Sequence, residues 1–211
     1  MTGVLAIVGA GGHGRVLADA ALEAGWRDVF FFDERHPSLV LNEGWPVVGA
    51  LPDLLSAPAR FDGVAIGIGD GRTRMRILDR LLDVGLNLVT IVHPRAWVSS
   101  RAELEAGTLV SAGAVVNTGA RIARGCIVNT GATVDHDCLL APGVHVAPGA
   151  HVSGGVEIGS CSWIGVGASV RQKTRIGTDV IVGAGAVVVS DIPDGVVAVG
   201  VPARCREKKQ C

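Results

Sequence analysis

From Val92 onward an aliphatic residue recurs at every sixth position. Val92, Val98, Leu104, Val110 and Val116 begin the run, and Ile176, Val182 and Val188 end it, seventeen hits in one unbroken phase. A second rule runs in step with the first. Four residues after many of these positions stands a small side chain, as at Ala114, Ala120, Cys126, Ala132, Cys138 and Ala150, and glycine recurs just before it. A fixed six-residue period is the mark of a repeat architecture and points to a β-helix. Each hexad makes one short strand and one turn, and three hexads make one triangular coil. The aliphatic residue then points inward and stacks on its equivalent eighteen residues away. The small residue faces inward where the corner is tight, and the turn glycine supplies φ > 0. Full burial of one aliphatic side chain stabilises by roughly 1.5–3 kcal/mol, so a stack of this length holds a rod together with few aromatics.

Residues 1–91 follow a different grammar. "VLAIVGA" (4–10) is an apolar run ending in glycines, and residues 13–24 carry Val16, Leu17, Ala20, Ala21 and Ala24 at helical spacing. "VFFFD" (29–33) and "VAIGIG" (64–69) read as further buried strands, and "RTRMRILDRLLDVG" (72–85) as a helix stopped by Gly85. Strands alternating with helices predict βαβ units on a small parallel sheet. The expected organisation is an α/β Rossmann-like domain at 1–91, a parallel β-helix at 92–193, and an exit segment and tail at 194–211.

Bulk composition removes several function classes. The net charge of -1 offers no basic excess for nucleic acid or an anionic membrane. Apolar residues at 48% and charged residues at 18% argue for a folded chain. No apolar run reaches membrane-spanning length, and the N-terminus reads as a first strand, not a signal peptide. The five cysteines (126, 138, 161, 205 and 211) show no metal-binding spacing. They read as small thiols in a reducing cytoplasm. No metal site is expected.

One corner breaks the repeat rule. "VDHDC" (134–138) places His136 where equivalent positions hold Ala112, Thr118, Thr130, Pro142, Pro148 and Gly154, and Asp137 where glycine belongs. The core has no use for an outward-facing imidazole. Histidine's ordinary pKa of about 6.5 suits a general base, and an adjacent carboxylate can fix its tautomer. Geometry at a corner leaves both Asp135 and Asp137 as candidate partners. A second candidate site lies in "GAGGHG" (9–14), a GxGxxG pattern after a strand and before a helix, with Asp33 ending the next strand. Such glycines let a pyrophosphate approach a helix N-terminus, and the acid can bind ribose hydroxyls. Read alone, this pattern keeps an NAD(P)-binding protein as a rival.

The hexads, "GAGGHGR", "VDHDC" and the closing "VGVPAR" (199–204), in this order, resemble the NeuD/PglD-type sugar O- and N-acyltransferases across essentially the whole chain. The resemblance implies a left-handed β-helix and a homotrimer with active sites between subunits. It implies acetyl-CoA as co-substrate and a nucleotide-linked amino-deoxy sugar as acceptor. In that frame His136 is the base and Asp137, often Glu in relatives, its partner. Gly11, Gly12, His13, Arg15, Asp33, Asp70 and Arg72 hold the nucleotide sugar, and Asn129 faces the sugar. His145, Gly154 and Ala184 meet acetyl-CoA, with the Gly154 N–H a candidate for stabilising an oxyanion. Relatives often carry Lys at the position of Arg15 and Asn at that of Gly71. Arg171, Lys173 and Arg175, or Arg204, Arg206, Lys208 and Lys209, are candidates for the CoA phosphates. The expected reaction is N-acetylation of a 4-amino-4,6-dideoxy sugar by direct transfer in a ternary complex. O-acetylation of sialic acid and a non-catalytic scaffold are the alternatives.

Overall fold

A computed structural model describes residues 3–57 and 60–206; Lys208, Lys209 and Cys211 lie outside the described residues. The N-terminal part is a five-stranded sheet with helices. Its elements are β1 (Val4–Val8), α1 (Gly12–Glu23), β2 (Asp28–Phe32), β3 (Leu41–Asn42), β4 (Trp45–Gly49), α2 (Leu51–Ser56), β5 (Gly63–Ile66) and α3 (Gly71–Asp83). The strand order is β3-β4-β2-β1-β5, with β1 parallel to both β2 and β5. The expected strands and both long helices are present. The β3–β4 hairpin and short α2 were not expected. Their segments are too short to show a period, and Pro46 argues against a strand except at an edge or bulge.

The repeat region is a three-faced rod. Face one carries Trp97–Val98, Val115–Val116, Thr133–Val134, His151–Val152, Ser169–Val170 and Val187–Val188. Face two carries Glu103–Leu104, Arg121–Ile122, Leu139–Leu140, Glu157–Ile158 and Arg175–Ile176. Face three runs from Ile91–Val92 through Leu109–Val110, Ile127–Val128, His145–Val146 and Trp163–Ile164 to Ile181–Val182. Strands on a face pair in parallel with a partner eighteen residues on, as in Val116↔Val134, Ile122↔Leu140 and Val128↔Val146. The second residue of each strand points inward, and Val110, Val116, Val128, Val134, Val146 and Ile164 are fully buried. The rod ends in Val197–Val199, which turns back on Arg204–Arg206 as an antiparallel pair.

Face three also shows what the repeat alone hides. Its outward residues Ile91, Leu109 and Ile127 are buried, in one cluster with Leu5, Ile7 and Leu17 of the N-terminal sheet and α1. Helix α3 lies along the corner between faces two and three. There Leu78 and Met75 sit so close to Gly125 that a Cβ would meet them at 2.9 and 3.0 Å. The two parts therefore share packed side chains, and face three is covered from Ile91 to His145, while Ile181 at its far end and outward side chains of faces one and two such as Trp97 and Leu139 stand in solvent.

Candidate active site

His136 stands on the corner between faces one and two. Its Nδ1 lies 2.9 Å from Asp137 Oδ2. Asp135 is otherwise engaged: its Oδ1 accepts from the His136 backbone N–H at 2.8 Å and from Asn117 Nδ2 at 3.1 Å. The ring's partner is thus Asp137. Asp137 takes the turn position with φ 57°, a left-handed conformation that glycine normally fills. The Asp137 hydrogen bond, assisted by the charges of Asp135 and Asp137, raises the pKa of His136 above the usual histidine value. With Nδ1 donating to the carboxylate, Nε2 carries the lone pair. It lies against Gly154, where a Cβ would come within 2.4 Å of Nε2. The Gly154 N–H makes no hydrogen bond among the described residues, whereas the next residue, Gly155, donates to the His136 carbonyl at 2.8 Å. A separate groove of about 860 Å3 runs along face two toward its corner with face three, lined by Arg121, Leu139, Glu157 and Arg175 among others, and no residue of the His136 corner lines it.

A second cluster lies on face three, across the triangle from His136. His145 is outward-facing, yet buried, because the N-terminal part covers it. Its Nε2 lies 3.0 Å from Asn129 Nδ2 and its Nδ1 3.3 Å from the Gly69 carbonyl. Trp163 packs on the ring with centroids 4.1 Å apart, and His13 approaches at 5.8 Å. Burial, then the nearby His13 and Arg74, push His145 down to about 3. Burial and Arg74 hold His13 at about 4. Both rings are neutral at physiological pH, and among the described residues His13 Nε2 is a buried nitrogen without a partner.

The remaining expected residues fall into three groups. Gly11 is the N-cap of α1 and Gly12 its first residue, and both face open space, leaving the helix N-terminus accessible. Gly14 has a packing role instead: a Cβ there would lie 2.1 Å from the Gly9 carbonyl oxygen. Asp33 accepts from the Ala10 N–H at 2.8 Å and from Arg35 Nε at 2.7 Å, and these bonds, Arg35's foremost, hold its carboxyl at about 2. Arg15 pairs with Glu43 at 3.3 Å. Asp70 caps α3 by accepting from the Thr73 N–H at 2.8 Å. Arg72 grips Asp179 with two bonds of 2.7 and 2.6 Å. Asp70, Arg72, Cys161, Trp163 and Asp179 bound a cavity of about 340 Å3. Ala184 is exposed on the corner between faces three and one, away from His136.

Sequence reasoning missed Arg35, Trp163 and Arg74. Arg74 is almost fully buried and carries charge on the apolar face of α3. A signal was present: positions 74, 77, 78 and 81 share one helical face, and three of them are aliphatic. Among the described residues no group of three or more His, Cys, Asp or Glu is arranged to hold a metal. No helix there is long and apolar enough to cross a membrane.

The family model for the PglD N-terminal domain matches residues 4–81. The acetyltransferase domain of PglB from Neisseria gonorrhoeae, solved with acetyl coenzyme A, is 44% identical and superposes with a TM-score of 0.93, over 98% of this chain and 100% of that one. The chain belongs to the NeuD/PglD-type sugar acetyltransferases. It is an acyltransferase, and its rod has the left-handed sense of that family's β-helix. PerB from Caulobacter crescentus, solved with CoA and GDP-perosamine, is 38% identical with a TM-score of 0.90, covering 98% of each chain. WeeI from Acinetobacter baumannii is 27% identical with a TM-score of 0.88, over 96% of this chain and 99% of that one. A curated relative, the galactoside O-acetyltransferase of Lactococcus lactis, is 46% identical over 46 residues, which is 22% of this chain and 22% of that protein's length.

Proposed function

We propose that this chain transfers an acetyl group from acetyl-CoA to the amine of a nucleotide-linked amino-deoxy sugar, of the 4-amino-4,6-dideoxy type. Acetyl-CoA is the co-substrate, in keeping with the acetyl coenzyme A and CoA held by the PglB and PerB structures. The amine acceptor follows PerB, a GDP-perosamine N-acetyltransferase. The observation that carries the mechanism is the corner at His136. Asp137 takes the Nδ1 proton side of the ring and leaves the Nε2 lone pair facing outward over Gly154. The neutral amine attacks the thioester carbonyl, and His136 Nε2 takes its proton as the C–N bond forms. Asp137 stabilises the imidazolium. The free Gly154 N–H is a donor for the developing oxyanion. As the C–S bond breaks, the imidazolium returns the proton to the CoA sulfur. Both substrates are bound together, and no acyl-enzyme forms.

The site is completed by a second copy of the chain. His136 occupies one corner, while Asn129, His145 and His13 cluster on the opposite face. One acceptor reaches both sets only if two rods stand side by side, as in a trimer. The nucleotide diphosphate sits on the open N-terminus of α1 at Gly11 and Gly12, beside Arg15. A reducing cytoplasm suits the free cysteines among the described residues.

The test is thiol release from acetyl-CoA with UDP-, GDP- and dTDP-linked 4-amino-4,6-dideoxy sugars and with free sialic acid. Release with one amino sugar, reduced roughly a hundred- to ten-thousand-fold in His136→Ala, is the expected result. Release with sialic acid alone moves the acceptor from amine to hydroxyl. Release that survives in the variant removes His136 as the base.

A further inference from the structure

Arg74 is a buried cation that forms no ion pair with a carboxylate among the described residues. Only 1% of it is exposed. Its Nε donates to the Gly125 carbonyl at 2.6 Å and its Nη2 to Gly143 at 2.7 Å, two rod turns one coil apart. Its Nη1 donates to Ile68 at 2.8 Å and to Gly69 at 2.7 Å, in the loop that leads into α3. Four of its N–H donors, out of the five a guanidinium carries, are thus spent on backbone carbonyls. Burying a charge this deeply is tolerated only when its bonds are satisfied. Docking alone does not need a charge, since α3 already packs Leu78 and Met75 on the same corner.

The Gly69 carbonyl links this cation to His145. It accepts from Arg74 on one side and faces His145 Nδ1 at 3.3 Å on the other. A carbonyl has nothing to donate, so Nδ1 must carry the proton. The far side of the ring agrees independently. Asn129 Oδ1 accepts from the Thr130 N–H at 2.8 Å, which turns Asn129 Nδ2 toward His145 Nε2. Nδ2 can only donate, so Nε2 must be bare. Both ends of the relay specify one tautomer. Of the two Asn129 N–H groups one is spent on His145, and the other remains able to donate elsewhere.

We propose that Arg74 is a positioning residue: through the Gly69 carbonyl it holds His145 in the Nδ1–H form, and His145 in turn orients the Asn129 amide as a hydrogen-bond donor toward an acceptor oxygen on the substrate. This goes beyond the transfer reaction, and it stands whichever sugar is acetylated. His145 is then no base. It is a rigid backing for Asn129, gripped between Trp163, Gly69 and Asn129.

The test needs no substrate, so it succeeds or fails independently of the proposed activity. Protein labelled with 15N at histidine shows which ring nitrogen of His145 bears the proton, with the His145→Asn variant assigning its signals. The wild-type protein is expected to show the Nδ1–H form alone, unchanged between about pH 5 and 8, where ordinary histidines titrate. Arg74→Gln removes the charge. Arg74→Lys keeps the charge and up to three donors, so it preserves the docking while losing the planar fork. In each folded variant the Nε2–H form of His145 is expected to appear beside the Nδ1–H form. A wild-type proton on Nε2, or an imidazolium, overturns the relay. Wild-type His145 signals in a folded Arg74→Lys or Arg74→Gln protein overturn the role of Arg74 and leave it a docking residue only.

Discussion

The residues that depart from their repeat positions are the ones proposed to carry the chemistry, and the departure has a cost. Asp137 is one of four non-glycine residues of the rod in the left-handed turn conformation, with Cys161, Lys173 and Asp179. Such a conformation costs of order 1–3 kcal/mol away from glycine, and at Asp137 it places a carboxylate on His136 Nδ1. Because that carboxylate raises the histidine's pKa, and the base acts only when neutral, activity is expected to rise with pH through this ionisation. Asp137→Asn removes the charged acceptor that does most to raise that pKa. Its rising limb should therefore move to lower pH, alongside a lower maximal rate. A pH–rate profile checks this, and a limb that stays in place rejects the pairing. Gly154→Ala puts a methyl where His136 Nε2 now lies, 2.4 Å away. A displaced base can cost about a hundredfold in rate, while stability, read by thermal melting, should change by less than about 1 kcal/mol because the ring is exposed and can yield.

At the scale of the element, the short strand owes its stability to one inward side chain and little else. Ile164 is fully buried in the stack between Val146 and Val182. Ile164→Ala should cost about 2–5 kcal/mol. The outward residue of a strand should matter far less. Arg121 and Glu103 approach only to 3.7 Å and are both mostly exposed, so Arg121→Ala should stay within about 0.5 kcal/mol. Denaturant titration of the two variants measures the contrast. The rod strands were legible because inward and outward residues alternate with a strict period, and burial enforces that register at every coil. The β3–β4 hairpin was not legible. Its pairing of Leu41 with Pro46 is local turn geometry with no period to reveal it.

For the whole molecule the division of the site into two clusters is decisive. His136 and Asp137 belong to the corner between faces one and two, and Asn129 and His145 to the covered part of face three, with His13 of α1 against His145. If each active site takes its base from one subunit and its face-three cluster from the next, two inactive variants should complement each other. Co-assembled His136→Ala and Asn129→Ala chains would form some sites with both defects on neighbouring copies and some with neither. Random assortment in a ring leaves about a quarter of the sites intact, so activity should return to about that fraction of wild type. No recovery in mixed trimers would mean that both clusters act within one chain.

The sequence by itself determined the rod, the βα order of the first part and the identity of the exceptional corner. Each of these rests on local rules, namely a burial period, helix spacing, and a turn that prefers glycine, so each leaves a trace in neighbouring letters. His136 was readable because it violated such a rule. The partner of its ring was not, since Asp135 and Asp137 are equivalent until the chain bends and the carboxylate of Asp135 is taken by Asn117 and a backbone N–H. Only the tertiary structure decided that most of face three is covered, that His145 is buried and neutral, and that Arg74 joins residues fifty-one and sixty-nine positions away through their carbonyls. The physical reason is that a backbone carbonyl is the same in every residue, so a side chain that binds carbonyls leaves no complementary letter in the sequence to betray its partner.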